Sequence, residues 1–297
     1  MITFIPQNCL YKMDYSKELA ICCMPGGYRG IFVQGVLNAF ETRGIRADAY
    51  SACSSSVLIA AYAAFGKVKT LDLSLWKDGY RLSKEDADQS RAMLNSIQSL
   101  APDIKANLWE AGASRFLIAA SRVKTAEAAL LTQSGKAKRL GRELLLEAAR
   151  RNPGWKNIHL ELNMFDTAPR GHSTLPLTKE NFDDAAYAST RMLQAWNIPA
   201  TINGLPYIDG SYTTLCPAAF LSGLGYKKIL CICTETGGIP TDFFAKELIP
   251  SRINDTRVHF IQPDSSLKDM GVDYLSMQDG GPEEVFYHGY QKGMLTQ

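Results

Sequence analysis

The sequence predicts an α/β protein whose central sheet is mostly parallel and flanked by helices. Apolar runs rich in β-forming residues alternate with helical patterns along the 297 residues of the chain. These runs cover residues 19–24, 47–51, 115–119, 158–162, 229–233 and 258–261. The run at 229–233 shows no alternation with polar residues, which is typical of a central strand buried on both faces.

The helical patterns are clearest at residues 57–65 and 126–151. The first, VLIAAYAAF, is too long and too rich in alanine for a strand, and the second is interrupted near Gly135. Residues 71–112 combine helices with loops, and their apolar side chains suit either a packed helical subdomain or a cover over a pocket. Because no repeat or interdomain linker is evident, we predict one domain, 1–297, with a helical insertion around 71–112.

The composition argues against several classes of protein. A formal net charge of +2, from 32 basic and 30 acidic residues, gives no general attraction to nucleic acid. No apolar stretch approaches the roughly 20 residues needed for a transmembrane segment, and the N-terminal sequence lacks a secretory pattern. The seven cysteines, some in buried strand patterns, favour reduced thiols in a cytoplasmic protein.

Two further features have simple structural interpretations. A basic stretch at residues 136–151 offers a place for transient, peripheral contact with anionic headgroups at a membrane surface, but a solvated helix face explains it more simply. Cys231 and Cys233 would lie on one face of a strand without a second pair of ligands at metal-binding spacing. We therefore assign both thiols to the core and expect neither a metal nor a cofactor.

A glycine turn, Pro-Gly-Gly-Tyr-Arg-Gly at residues 25–30, connects the first strand pattern to an amphipathic helix. The N–H groups of such a turn converge at the start of a helix and can hold developing negative charge. The alternative is a nucleotide-binding fingerprint, but Pro25 stands at its first glycine position and Asp48 falls at the start of the second strand. Arg29 could add positive charge near an oxyanion or brace the loop through a carboxylate.

The second strand pattern leads into Ala-Cys-Ser-Ser-Ser, residues 52–56, directly before the helix at 57–65. Strand, tight turn, serine and helix are the parts of a nucleophile elbow, in which Ser54 holds the central position. Ala52 and Ser56 stand where such an elbow has glycines, and their Cβ atoms predict strain or an altered shape because L-residues resist positive φ. Taken alone, the serines could equally cap the helix.

A third motif, Tyr-Ile-Asp-Gly-Ser at residues 207–211, places Asp209 before Gly210 at the end of a short apolar run. An Asp-Gly pair by itself is a common hairpin turn. The succession of glycine turn, elbow serine and Asp-Gly is far less expected by chance than any one of the three motifs.

With these motifs the chain resembles the patatin-like phospholipase family, in its bacterial type. Residues 26–30 match the family's G-G-x-R-G oxyanion turn, residues 52–56 its elbow, and residues 209–210 the start of its D-G-G/A motif. Residues 187–209 are similar to the A-S-x-x-x-P segment that leads to the family's catalytic acid. The resemblance covers nearly the whole chain from about Glu18.

The resemblance implies a serine acyl hydrolase that cleaves lipid carboxylic esters through a dyad of Ser54 and Asp209. Its substrates would be glycerolipids or related esters, and its activity would be of phospholipase A, lysophospholipase or carboxylesterase type. The implied oxyanion hole comprises Gly26, Gly27, Tyr28, Arg29 and Gly30.

Two alternatives to the dyad remain open at this stage. One is a Ser-His-Asp triad that adds His259 or His288 to the same serine and aspartate. The other is a catalytically weak or inactive patatin-fold protein that binds lipid or a partner, and the altered elbow is the feature that suggests it.

Overall fold

The computed structural model describes residues 18–86, 88–169, 173–238 and 240–296 of the chain. Within these residues, strands form one ten-stranded sheet. They are β1 Leu19–Cys23, β2 Ala49–Cys53, β3 Arg115–Val123, β4 Leu160–Asp166, β5 Leu175–Pro176, β6 Ala200–Ile202, β7 Leu205–Asp209, β8 Lys228–Ile232, β9 Arg252–Ile253 and β10 Thr256–Ile261. The helices are α1 Gly30–Thr42, α2 Val57–Ala64, α3 Ser74–Asp86, α4 Gln89–Asn107, α5 Ala126–Thr132, α6 Ala137–Ala149, α7 Gly154–His159, α8 Phe182–Thr190, α9 Ala218–Gly223 and α10 Gly281–Leu295.

The centre of the sheet is parallel. Its strands follow the order β3-β2-β1-β8-β10, and each neighbouring pair in this series runs in the same direction. Antiparallel pairs lie outside this centre, with β4 and β7 on β3 and with β9 on β10. The predicted α/β class, with a mostly parallel sheet flanked by helices, is confirmed.

Helices cover both faces of the sheet because successive strand residues point to opposite sides. On β1, Ile21 belongs to the apolar cluster that contains the buried residues of α1 and α2. Its neighbours Ala20 and Cys22 belong to a second cluster, which includes Ala218 and Leu221 of α9. A strand that is buried on both faces has a continuous apolar run in its sequence, and β1 and β8 show this pattern.

Two strands, β2 and β4, begin two residues later than their predicted runs. β2 begins two residues later than the run 47–51, because Asp48 turns its carboxylate to the backbone N–H groups of Glu18 and Leu19. Residues 154–159 form α7 before β4 begins, with Pro153 at the helix N-cap. Ile158 and His159, at the start of the predicted run 158–162, are therefore helical.

The hairpin turn before Asp209 joins β6 to β7 and lies at Asn203 and Gly204, not at the Asp209–Gly210 pair. Both residues have positive φ, +51° and +76°, as a tight two-residue hairpin turn between β6 and β7 requires. Asp209 instead ends β7, and Gly210 begins a short 3-10 turn.

Within residues 71–112, α3 packs against α1, and α4 packs against α3 and α8. Trp76 is buried, and its indole N–H donates to the side-chain oxygen of Gln34 at 2.5 Å. A Cβ added at Gly30 would lie 2.7 Å from the Trp76 ring, so glycine permits this close packing. Among the helices of the described residues, none combines the length and apolar character needed to cross a bilayer.

Candidate active site

Ser54 and Asp209 meet because β2 and β7 share one edge of β3. The first half of β3 pairs with β2 up to Ala119, opposite Cys53, and the next residue, Ala120, pairs with Asp209. The ends of β2 and β7 therefore lie next to each other although they are far apart in the sequence. The Ser54 hydroxyl donates to Asp209 Oδ2 at 2.8 Å, and both side chains are buried.

The backbone strain of the elbow falls on Ser54 itself. Its φ is +56°, in the left-handed region that L-residues seldom adopt. Ser56 has φ of −82°, and Ala52 lies within β2, so the expected strain at these two positions was wrong. Their Cβ atoms are accommodated because neither residue needs a positive φ.

Hydrogen bonds from neighbouring segments fix the elbow. The backbone N–H of Ser54 donates to Ser189 Oγ at 2.9 Å, and Ser189 donates in turn to the Ala119 carbonyl at 2.7 Å. Ser56 Oγ donates to the Met24 carbonyl at 2.6 Å, which ties the elbow to the end of β1. At Gly210 a Cβ would collide with the Ala119 carbonyl, so only glycine lets Asp209 come this close to β3.

Asp209 is a buried acid that pairs with no cation among the described residues. Its Oδ2 accepts from Ser54, and its Oδ1 accepts the backbone N–H of Ser211 at 2.8 Å. Burial raises the pKa of Asp209 to about 6, although the hydrogen bonds from Ser211 and Ser54 act in the opposite direction. A carboxyl group with this pKa is ionised near neutral pH and can still take a proton from an alcohol.

The glycine turn connects β1 to α1 beside the elbow. Gly27 has φ of +56°, and the Arg29 N–H donates to the Gly26 carbonyl at 3.1 Å. The N–H of Tyr28, one of the expected oxyanion donors, donates to the Tyr274 carbonyl at 3.1 Å. The Gly30 N–H donates to the Gly27 and Tyr28 carbonyls. In the described part of the chain, backbone hydrogen bonds thus occupy the amides of Tyr28, Arg29 and Gly30.

Arg29 is bound by two carboxylates. Of the two roles that the sequence left open for this residue, charge near an oxyanion or a brace of the loop, the contacts match the brace. Its guanidinium contacts Glu235 and Asp273, each at 2.6 Å, and lies 4.0 Å over the centroid of the Tyr274 ring. The Arg29 side chain is 9% exposed. Both ion pairs join the glycine turn to segments near the other end of the chain.

An apolar pocket opens above Ser54. It encloses about 640 Å³, including space open to solvent, between the elbow, the glycine turn and the helices α3 and α4. Its apolar lining includes Leu58, Ile59, Leu75, Trp76, Met93 and Trp196. The packed helices of residues 71–112 therefore also form a wall of the pocket.

The histidines of the alternative triad lie elsewhere. His288 Nε2 accepts the backbone N–H of Asp264 at 3.1 Å, and its ring packs near Phe32. His259 is exposed on β10. In the residues that the structure describes, no hydrogen bond joins a histidine to Ser54 or Asp209. His172 lies outside them.

One group of metal-capable side chains comes together within the described ranges. The Sγ atoms of Cys22, Cys216 and Cys231 lie within 4.8 Å of one another, and all three residues are buried in the cluster that contains α9. Sequence spacing did not reveal this group because each cysteine lies on a different segment. Cys233 packs in the same cluster, as expected for a core thiol.

Comparisons with known proteins add little to this geometry. No protein-family model matches the chain, and a search of curated proteins finds no significant match. Among solved structures, the chain is similar to VipD from Legionella pneumophila, with 10% identity and a TM-score of 0.41. The match covers 94% of this chain and 66% of the VipD chain, so this chain spans just under two thirds of that length.

Several residues of the site were not predicted from the sequence. Ser189, which holds the Ser54 amide, appeared only as part of a family-like segment, and nothing signalled its hydrogen bond. Glu235, Asp273 and Tyr274 follow the glycine turn by more than 200 residues, and no motif marks them.

Proposed function

We propose that the protein is a serine acyl hydrolase of patatin type that cleaves lipid carboxylic esters through Ser54 and Asp209. The observation that carries the proposal is the 2.8 Å hydrogen bond from the Ser54 hydroxyl to a fully buried carboxylate. A serine hydroxyl needs an adjacent base to act as a nucleophile, and Asp209 has the position and the pKa for that task.

In the proposed reaction Ser54 Oγ attacks the ester carbonyl carbon while its proton passes to Asp209. The carbonyl π electrons move to oxygen and form an oxyanion, which the N–H groups of the glycine turn stabilise. Collapse of this intermediate breaks the bond to the leaving alcohol, which receives the proton from Asp209. Water then attacks the acyl-serine, with Asp209 again taking and returning a proton, and releases the carboxylic acid.

The pocket supports an apolar acyl group as the substrate portion that lies beside Ser54. Leucine, isoleucine, methionine and tryptophan side chains line it, and burial of each methylene group in such a lining contributes about 0.8 kcal/mol. Turnover should therefore favour esters with an alkyl chain over acetate esters.

Hydrolysis of p-nitrophenyl butyrate by the full chain tests the proposal. Ser54→Ala should lower kcat by a factor on the order of 10³ or more, because it removes the nucleophile. Ser51→Ala is the matched control, since this serine is also buried at the elbow strand and lies outside the pocket lining. Equal turnover by Ser54→Ala and wild type, in preparations free of other esterases, would contradict the proposal and favour a lipid-binding or partner-binding role.

A further inference from the structure

A short hairpin at residues 272–277, called here the 272–277 loop, covers the glycine turn. An antiparallel bridge between Val272 and Met277 closes its base, and both residues are buried. Tyr274 and Leu275 at its tip are 48% and 42% exposed. Both tip residues also line the pocket above Ser54. The loop thus has an anchored base and a half-exposed tip beside the nucleophile.

The tip makes two contacts that an ester substrate would make. Its Tyr274 carbonyl oxygen accepts the N–H of Tyr28 at 3.1 Å, in a glycine turn suited to hold an oxyanion. A Cβ at Gly27 would collide with this oxygen, so the carbonyl sits directly on the turn. Leu275 adds an apolar side chain to the lining of the acyl pocket.

Charged and aromatic contacts hold the tip in place. The Arg29 guanidinium pairs with Asp273 at 2.6 Å and lies over the Tyr274 ring, while the Tyr274 hydroxyl donates to Glu235. The buried Nε of Arg29 has no hydrogen-bond partner among the described residues. The loop therefore occupies a backbone donor of the turn and covers its cationic side chain at the same time.

We propose that the 272–277 loop is an internal competitor of the substrate carbonyl. Turnover requires the tip to leave the glycine turn, after which the Tyr28 N–H joins the oxyanion hole and Arg29 is uncovered. The rate then scales with the fraction of molecules whose loop is open. This inference rests on the proposed acyl hydrolase function.

The opposite role for the same contacts is a permanent brace. In that case the loop would hold the glycine turn in its active shape, and other amides of the turn would bind the oxyanion. The two roles predict different changes in the reaction rate when the loop is loosened. Loosening the loop speeds the reaction if the loop competes with substrate, and slows it or leaves it unchanged if the loop is a brace.

Two substitutions loosen the loop by different contacts. Tyr274→Ala removes the ring over Arg29 and the hydroxyl on Glu235 but keeps the backbone carbonyl. Asp273→Asn breaks the ion pair with Arg29 at a residue outside the pocket lining. Tyr287→Ala is the matched control, because Tyr287 is an exposed tyrosine on α10 that stacks only with Tyr290 among the described rings.

The measurement is the second-order rate constant for labelling of Ser54 by an alkyl fluorophosphonate, together with kcat/KM for p-nitrophenyl butyrate. Each loop variant should raise both values by about threefold to tenfold, and Tyr287→Ala should leave them unchanged. Values at or below wild type in both loop variants, at unchanged melting temperature, overturn the proposal and favour the brace.

Hydrogen exchange of the labelled wild-type protein gives a test that needs no variant. In the phosphonate adduct the phosphoryl oxygen should take the Tyr28 N–H, so the turn stays protected while residues 272–277 exchange faster. Unchanged exchange in the loop overturns the proposal. If wild type and every variant show neither labelling nor ester turnover, the hydrolase function is contradicted, and the loop proposal with it. If wild type and every variant are labelled at equal rates, only the loop proposal is overturned.

Discussion

Two fully buried aspartates lie on strands that pair with β3, and they differ in the partners that meet their charge. Asp166, at the end of β4, accepts hydrogen bonds from Arg115 Nε at 2.9 Å and Nη2 at 2.5 Å. In the described part of the chain, Asp209 at the end of β7 accepts from the Ser54 hydroxyl and the Ser211 N–H and has the Cys53 Sγ 4.0 Å from its Oδ1, but it pairs with no cation. Both residues are 0% exposed.

The difference shows that the partner, and not burial alone, decides what a buried acid does. Burial by itself would lower the pKa of Arg115, but the hydrogen bonds and charge of Asp166 outweigh this effect and raise that pKa. The ion pair joins β3 to β4. For Asp209, burial without a cation raises the pKa to about 6 and leaves the carboxylate available as a base.

The largest effect is expected for Asp209→Asn. The amide cannot accept the Ser54 proton, so kcat should fall by a factor on the order of 10³, within the range for loss of a general base. Ester hydrolysis by the purified variant is the measurement. A variant with more than about a tenth of wild-type turnover would contradict the role of Asp209 as the base.

The same variant should be more stable than wild type above neutral pH. Because the folded pKa of Asp209, about 6, lies above its unfolded value of 3.8, burial of the charged form costs stability increasingly as the pH rises from about 4 to about 6, and the full cost applies above that range. Removing this charge should raise the free energy of unfolding by up to about 3 kcal/mol at pH 8, and the gain should vanish near pH 4. Urea unfolding at both pH values measures it.

Asp166→Asn should have the opposite effect on stability. It leaves the Arg115 guanidinium buried without its carboxylate and should lower the free energy of unfolding by about 3 to 5 kcal/mol. The matched control is Asp78→Asn, which removes an exposed pair with Arg81 and should cost less than about 1 kcal/mol. Urea unfolding measures both variants. Equal losses of unfolding free energy would show that burial of the ion pair does not determine its contribution to stability.

The pH dependence of turnover should follow the Asp209 pKa. As the pH falls below about 6, the carboxyl group gains a proton and kcat/KM should drop by about tenfold for each pH unit. His259→Ala and His288→Ala should keep the midpoint and stay within about tenfold of wild-type turnover. A midpoint that moves in a well-folded His288→Ala protein would favour a triad instead.

The smallest effect is expected at the elbow. Since Ala52 lies in an extended strand, Ala52→Gly should bring no gain in turnover and should lower stability by about 1 kcal/mol through added backbone freedom. A rise in kcat/KM for p-nitrophenyl butyrate would show that the Cβ of Ala52 distorts the elbow after all.

The alternation of apolar runs with helical patterns was enough to predict the sheet and its flanking helices, because a covered parallel sheet imposes that pattern on the sequence. Only the family resemblance paired Ser54 with Asp209 at the sequence level. Residue spacing could not do so, because 155 residues separate them and their contact depends on where β7 docks along β3. The strain expected at Ala52 and Ser56 fell on Ser54, since the turn begins one residue after β2 ends. Contacts between the 272–277 loop and the glycine turn leave no local trace in the sequence, because they join residues more than 200 positions apart.

The most direct test of the Ser54–Asp209 dyad is covalent labelling by a fluorophosphonate, followed by mass mapping of the adduct in wild type and in Asp209→Asn. Only a serine activated by a neighbouring base should react at an appreciable rate. The predicted result is a single adduct on Ser54 in wild type and labelling slowed by a factor on the order of 10² or more in Asp209→Asn. An adduct on another serine, or equally fast labelling of Ser54 in both proteins, would contradict the account.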